Sequence, residues 1–473
     1  MNRGKAQRRL LPRLLALTIT VTAVIAAIVA HTACGRAGSA TPGHALAHDA
    51  YIWQRQWTPS LDRAVLASAS RVRAWRVLAA EVDRRGLIVE SSPHLDVLAR
   101  AARPVIPVIR ISGRLSDWDA DDAARDAARA PAGDPSGAPA RYAAHDLTRE
   151  LVARSQTLVR RWRDAGVDVT GVETDYDCPT GSLPRYASFL ATLREAHPRD
   201  VALSITALPT WLDSARLRDV LQHVDEAVLQ VHAVQHPEAG LFDGDQARAW
   251  AREWSDVSRK VQKAGKAGTA SEAGHAGSIG GVPFRIALPT YGSRVTWTGD
   301  GRITGIESEA RTFGDPASGR ELFVTPLEAA AFIETLRGDQ PSNLTGLVWF
   351  RVPTAEDQRA WSLDTWHAVM DGRALPRDAG INASVEPSAT IPGLYDVYLR
   401  NRGIVDALVP ERVTLTSQST CEAADALAPY AMEKRHTAIE FRRVSPRMLA
   451  RDRRALIGWV RCPIGEIEVD AGS

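Results

Sequence analysis

The sequence predicts an α/β chain, a (β/α)8 TIM barrel over residues 48–372 followed by a small C-terminal all-β, sandwich-like domain over 373–473. Three observations carry that expectation. Eight short β-rich runs alternate with amphipathic helical stretches. Several runs are apolar throughout, as Val105-Ile106-Pro107-Val108-Ile109 is, which fits strands buried on both faces. After Arg373 the long helical patterns stop and only short strand-like segments follow. With 473 residues, 45% of them hydrophobic and 24% charged, the chain has a globular composition and length for a barrel plus an appendage. Its 58 basic and 56 acidic residues nearly cancel, so no broad positive field exists and no nucleic-acid partner is expected.

Taken in order, residues 1–34 read as a targeting segment. Arg3, Lys5, Arg8, Arg9 and Arg13 precede a charge-free apolar run, Leu14 to Ala30, which is long for a signal core and short for a spanning helix. Thr32 and Ala33 before Cys34 resemble the lipobox of bacterial lipoproteins, with His31 where an aliphatic residue is usual, and that resemblance implies lipidation of Cys34. The expectation is a periplasmic-side, lipid-anchored protein of the cell envelope, with secretion or an uncleaved N-terminal helix as alternatives. Membrane contact is expected through this anchor only. Residues 35–47 read as a linker.

The strand candidates are Asp49–Trp57, Arg76–Val82, Pro104–Ser112, Val169–Asp177, Ala202–Pro209, Glu226–Val234, Phe284–Tyr291 and Leu344–Arg351. Helical periodicity covers Asp146–Ala165, Leu183–Ala196, Arg216–His223, Asp245–Lys263 and Pro326–Arg337. Residues 119–145 and 264–282 look like surface insertions, and 292–325 holds a turn signal, Thr298-Gly299-Asp300-Gly301, that predicts a hairpin beside the barrel mouth. In the last domain Leu394–Leu399, Glu411–Thr416, Thr437–Val444 and Ala455–Val460 are the strands. An oxidising compartment makes Cys421 and Cys462 the expected disulfide and leaves Cys178 as a small buried apolar residue.

Chemistry in such a barrel belongs at the C-terminal strand ends. There the chain reads Thr170-Gly171-Val172-Glu173-Thr174-Asp175-Tyr176-Asp177-Cys178-Pro179. Strand period two places Glu173, Asp175 and Asp177 on one face, over about 13 Å, and an inward face would desolvate them and raise at least one pKa. A protonated acid beside an ionised partner is what glycosidic bond cleavage requires. An oxygen cluster of this kind would also suit calcium or magnesium, but no metal and no cofactor is expected: no phosphate loop, H-E-x-x-H helix or Gly-x-Ser-x-Gly elbow occurs.

The segment resembles the signature Asp-Gly-x-Asp-x-Asp-x-Glu of family 18 glycoside hydrolases, the chitinase-like enzymes, whose final Glu is the general acid. Leu203-Ser204-Ile205-Thr206-Ala207-Leu208-Pro209, Ala287-Leu288-Pro289-Thr290-Tyr291-Gly292 and Gly346-Leu347-Val348-Trp349 resemble that superfamily's fifth, seventh and eighth strands in order. More closely, Tyr51-Ile52-Trp53-Gln54, Asp175-Tyr176-Asp177-Cys178-Pro179, Ala207-Leu208-Pro209-Thr210-Trp211 and Trp459-Val460-Arg461-Cys462-Pro463 resemble a bacterial domain-of-unknown-function family, 3142. The departures are specific. Asp177 stands where the acid Glu would be, about 1.5 Å shorter in reach. Gln230-Val231-His232-Ala233 replaces Met-x-Tyr-Asp on strand six, so the residues that would orient an acetamido group are missing.

On this reading Asp177 is the general acid, Asp175 tunes it and stabilises positive charge, and Glu173 holds Asp175 from below. Glu81 is the candidate for a second carboxylate, and Arg55 and Arg110 are candidate partners of the acids. His232, expected to donate a hydrogen bond to substrate, with Gln230 and Tyr291, is placed at a substrate site. Flat ring faces stack on pyranoses, which adds Trp53, Trp211 and Trp349 as the main aromatic candidates, Trp57 and Trp297 beside them, and Trp349 as the floor of the site by resemblance. The expected partner is a polysaccharide or oligosaccharide. The expected function is a cell-envelope glycoside hydrolase acting on an extracytoplasmic polysaccharide by carboxylate general acid catalysis. A catalytically silent glycan-binding barrel and a structural envelope lipoprotein are the alternatives.

Overall fold

Eight parallel strands wind in sequence order, each followed by a helix, and the first strand pairs with both the second and the eighth. The barrel is therefore closed, as the sequence predicts. A computed structural model describes residues 46–472 except 85, 114–144, 233–239, 262–280, 299, 301, 308–318, 358, 377–379, 389–390, 436–437 and 463–466. The targeting segment with Cys34 and nearly all of both predicted insertions lie outside the described residues.

The barrel strands are Ala47–Ile52, Trp75–Val82, Val105–Ile111, Gly171–Tyr176, Ala202–Ala207, Glu226–Gln230, Phe284–Pro289 and Leu344–Phe350. The first and sixth are shorter than their sequence patterns suggest, ending at Ile52 and Gln230. Helices follow at Pro59–Ser68, Leu95–Ala101, His145–Asp164, Leu183–Ala196, Leu217–Leu221, Gly244–Arg259, Pro326–Gly338 and Leu363–Met370. Their starts are chemically marked. Thr58, Asp243 and Ser362 cap with their side chains, and Thr325 with Glu328 forms a reciprocal capping box behind Pro326.

Strand alternation splits the side chains between two environments. Outward residues such as Ile52, Trp75, Ile109, Ile205 and Ile286 join the helices in the main core. Inward residues Tyr51, Trp53, Leu78, Val108, Val228, Ala287 and Val348, with Phe350 against them, form a separate cluster inside the barrel. Between the seventh strand and the last two helices, Ser293–Trp297 pairs antiparallel with Ile303–Glu307 and with Arg320–Leu322, a three-stranded rim sheet.

Beyond the barrel, Ile381–Pro387, Leu394–Asn401, Arg454–Arg461 and Ala423–Ala426 form one antiparallel sheet, and Tyr430–Arg435, Ala438–Arg443, Arg412–Ser417 and Ile467–Gly472 form another. Val397, Leu399 and Val460 of the first share a core with Val413, Leu415, Ile439 and Phe441 of the second. A disulfide joins Cys421 to Cys462, while Cys178 is a buried free thiol.

Candidate active site

The barrel interior is layered, and the lowest layer is charged. Asp49, Arg76, Glu173 and Arg285 are buried there, with Glu226 beside them. Arg76 pairs with Glu173, with Glu226 and, at 3.1 Å, with Asp49; Arg285 reaches Glu226 at 2.8 Å, and Arg73 reaches Asp49 at 2.6 Å. Buried charges are tolerable only when paired and hydrogen-bonded, and here three carboxylates meet three guanidinium groups. Gly346 completes the floor, because a Cβ at that position would collide with the Ala47 carbonyl and the Arg285 guanidinium.

This floor corrects one expectation. Glu173 does not hold Asp175. Its carboxylate accepts from the Tyr51 hydroxyl at 2.6 Å, from Ser204 at 2.9 Å and from Arg76, and so belongs to the floor network.

Asp175, one layer up, is 5% exposed. It accepts from Thr206 Oγ1 at 2.7 Å, from Gln230 Nε2 at 3.3 Å and from Arg110 Nη1 at 3.4 Å. Burial first, then the charge of Asp177, push its pKa up to about 6, against the opposing pull of Arg110 and Thr206. Asp177 lies just past the strand end and is exposed at the mouth rather than inside the barrel. One carboxyl that exchanges a proton in the mildly acidic range thus stands under a second that meets solvent.

The mouth around them is aromatic. Trp53 packs edge-on to Tyr51 and tilted against Phe350, with the Arg110 guanidinium 5.6 Å from its ring centre. Tyr291 is half-buried, 5.6 Å from the Phe350 ring and 6.3 Å from His232. Burial pushes its phenol up to about 12, opposed by Arg351, Ser293 and Arg110. His232 is buried, with Nδ1 3.1 Å from the Ala287 carbonyl, and burial lowers its pKa to about 4. Arg351 is tied to Asp357 at 2.5 Å.

Two tryptophans are not where the sequence reading put them. Trp349 is fully buried among the helices, its indole N–H donating to His48 at 3.0 Å and its ring 6.0 Å from Trp361. Because Val348 and Phe350 face inward, alternation sends Trp349 outward, and Phe350 takes the place at the mouth. Trp211 is also fully buried, donating to the Cys178 carbonyl at 2.8 Å and packing on Tyr186. Trp57 and Trp297 are half-buried against the main core. Glu81 is held by Arg55 through both oxygens at 2.7 Å, and Arg110 reaches Asp175.

Sequence reasoning missed Tyr51, Thr206, Phe350 and the floor residues Asp49, Arg76, Glu226 and Arg285. The signal was there in part. An arginine inside an apolar strand run, as in Trp75-Arg76-Val77-Leu78 and Phe284-Arg285-Ile286-Ala287, has to find a buried acid.

Residues 140–271 and 267–355 match the family model DUF3142, a domain of unknown function. The match spans the fourth to the eighth barrel strands. This is the family that the strand-end motifs resemble, and the match takes in the acidic strand, His232, Tyr291 and Phe350. Residues 384–463 match a second domain of unknown function, DUF8456, in the C-terminal sheets. No curated protein matches the chain. Among solved structures, the spore cortex-lytic enzyme SleL of Bacillus cereus is similar at 11% identity and TM-score 0.44, over 71% of this chain and 76% of that one. A chitinase of Chromobacterium violaceum is similar at 13% identity and TM-score 0.41, over 70% and 100%. A chitinase of Bacteroides thetaiotaomicron is similar at 10% identity and TM-score 0.44, over 69% and 97%.

Proposed function

We propose that this protein is a glycoside hydrolase that acts on an extracytoplasmic polysaccharide, tethered to the cell envelope through its N-terminal segment with Cys34 as the lipid-bearing residue. The observation that carries the catalytic part is the stacked pair Asp175 and Asp177 at the C-terminal mouth of a closed parallel barrel, the lower one raised to about 6. Asp177, exposed, protonates the departing glycosidic oxygen. Asp175, held by Thr206, Gln230 and Arg110, supports positive charge on the sugar. Trp53 and Phe350 supply ring faces for the sugar, and Tyr291 and His232 supply polar contacts.

A silent glycan-binding barrel is the second reading, and one observation favours it. Glu81 and Asp357, two further acids near the strand ends, are both engaged by arginines, which disfavours either as nucleophile or base. The deciding experiment is product release, followed by mass spectrometry, from a panel of bacterial envelope polysaccharides and exopolysaccharides, with the Asp177→Asn protein in parallel. Oligosaccharides formed by the wild type alone support the hydrolase. Binding by both proteins with no product supports the silent barrel.

A further inference from the structure

We propose that Nε2 of His232 is a hydrogen-bond acceptor that reads a free hydroxyl of the bound sugar, a specificity contact that rests on the glycan reading above. Nδ1 lies 3.1 Å from the Ala287 carbonyl oxygen, which can only accept, so Nδ1 carries the hydrogen. In a neutral imidazole that leaves Nε2 with a bare lone pair. Burial keeps the ring neutral, its pKa lowered to about 4, and no charged group contributes to that shift. The sequence expectation is thereby reversed: His232 accepts where it was expected to donate.

The setting gives the lone pair a use. His232 is 8% exposed, its ring 5.7 Å from Phe350 and set edge-on to Tyr291, so it forms part of the wall of the mouth. Among the described residues Nε2 has no partner. Nε2 is not among the buried atoms left without a partner, so it keeps solvent contact, and a ligand that takes the place of that solvent has to supply a donor. Gln230, two residues earlier at the end of the sixth strand, gives its amide N–H to Asp175, which leaves its carbonyl oxygen as a second acceptor. The carboxylates of Asp175 and Asp177 add more. This side of the mouth is a row of acceptors, and a complementary ligand has to bring donors. Hydroxyl groups are the donors that a sugar offers; a carboxylate or a carbonyl oxygen would face Nε2 lone pair to lone pair.

The test uses the full chain, with cellopentaose, maltopentaose and chitopentaose as probes in isothermal titration calorimetry. The wild type should bind at least one of them. His232→Phe, which keeps a flat ring and removes the acceptor, should weaken that binding by about five- to tenfold, while His232→Gln, whose amide oxygen can replace Nε2, should stay close to wild type. Nitrogen-15 NMR of the histidine-labelled wild type gives a readout independent of any variant's folding. Nε2 should appear unprotonated at neutral pH and shift when the bound probe is added. Wild-type binding that His232→Phe leaves unchanged, or a protonated Nε2 at neutral pH, overturns the acceptor role and leaves the glycan reading standing. Failure of the wild type to bind any probe overturns both.

Discussion

The Tyr51 hydroxyl donates a 2.6 Å hydrogen bond to Glu173, the deepest carboxylate of the acidic strand. With Arg76 and Ser204 on its other sides, Glu173 serves the barrel floor. Glu173→Gln should therefore act on stability. Removing one partner of a buried ion pair costs about 3–5 kcal/mol. Urea denaturation should show a loss of that order, with glycan affinity per folded molecule unchanged. A loss of affinity with unchanged stability would put Glu173 back in the site.

Asp175 should leave a pH signature. Its folded pKa of about 6 lies above the ordinary 3.8. Its contribution to stability is therefore fully present below about pH 4 and is lost as pH rises through about 6, by about 3 kcal/mol at most. His48 and His232, lowered from 6.5 to about 4, work the other way: their contribution is present above 6.5 and is lost as pH falls through about 4. Asp175→Asn removes only the first of these opposing effects. The variant should gain on the wild type at about pH 7 and lose that advantage near pH 4, measured by urea midpoints. An advantage of equal size at both pH values would contradict the raised carboxyl.

The two tryptophan environments separate binding from folding. Trp349→Phe breaks the bond to His48 and opens space among the helices, so it should lower the melting temperature and leave glycan affinity intact. Trp53→Ala removes a ring from the mouth, where it meets Tyr51, Phe350 and Arg110. It should weaken sugar binding about tenfold or more. Calorimetric titration beside thermal melts of both proteins checks the contrast.

Reduction should act on the C-terminal sheets. Cys421 and Cys462 are 41 residues apart, and a loop of that length corresponds to about 4 kcal/mol of lost chain entropy in the unfolded state. A Cys421→Ser, Cys462→Ser double variant, scanned by calorimetry, should unfold its C-terminal sheets at lower temperature. An unchanged trace would mean that these sheets are held by their apolar core alone.

Much of this molecule is legible without coordinates, for reasons that differ by element. The barrel shows in the sequence because each strand is a local apolar run and each helix a local periodicity, as in Val105–Ile111 and Leu183–Ala196. The acidic strand shows for the same reason: Glu173 and Asp175 lie two residues apart, and period two is all that is needed to put them on one face. What local pattern cannot fix is phase against distant neighbours. Trp349 looks like a mouth residue until Val348 and Phe350 are seen to point inward. Glu173 looks catalytic until Tyr51 and Arg76, 122 and 97 residues away, close around it. His232 reads as a donor until the Ala287 carbonyl fixes its tautomer.

The charged floor also has a thermal consequence. Holding Arg76, Glu173 and Asp49 away from water is expensive at room temperature, because water solvates ions so well. That preference weakens as temperature rises, since ordering water around a charge becomes entropically harder, whereas apolar burial gains little more. The bond network at the base of the barrel is thus worth more in a hot cell than in a cool one, and the barrel loses its cohesion with heating more slowly than its apolar core alone would allow.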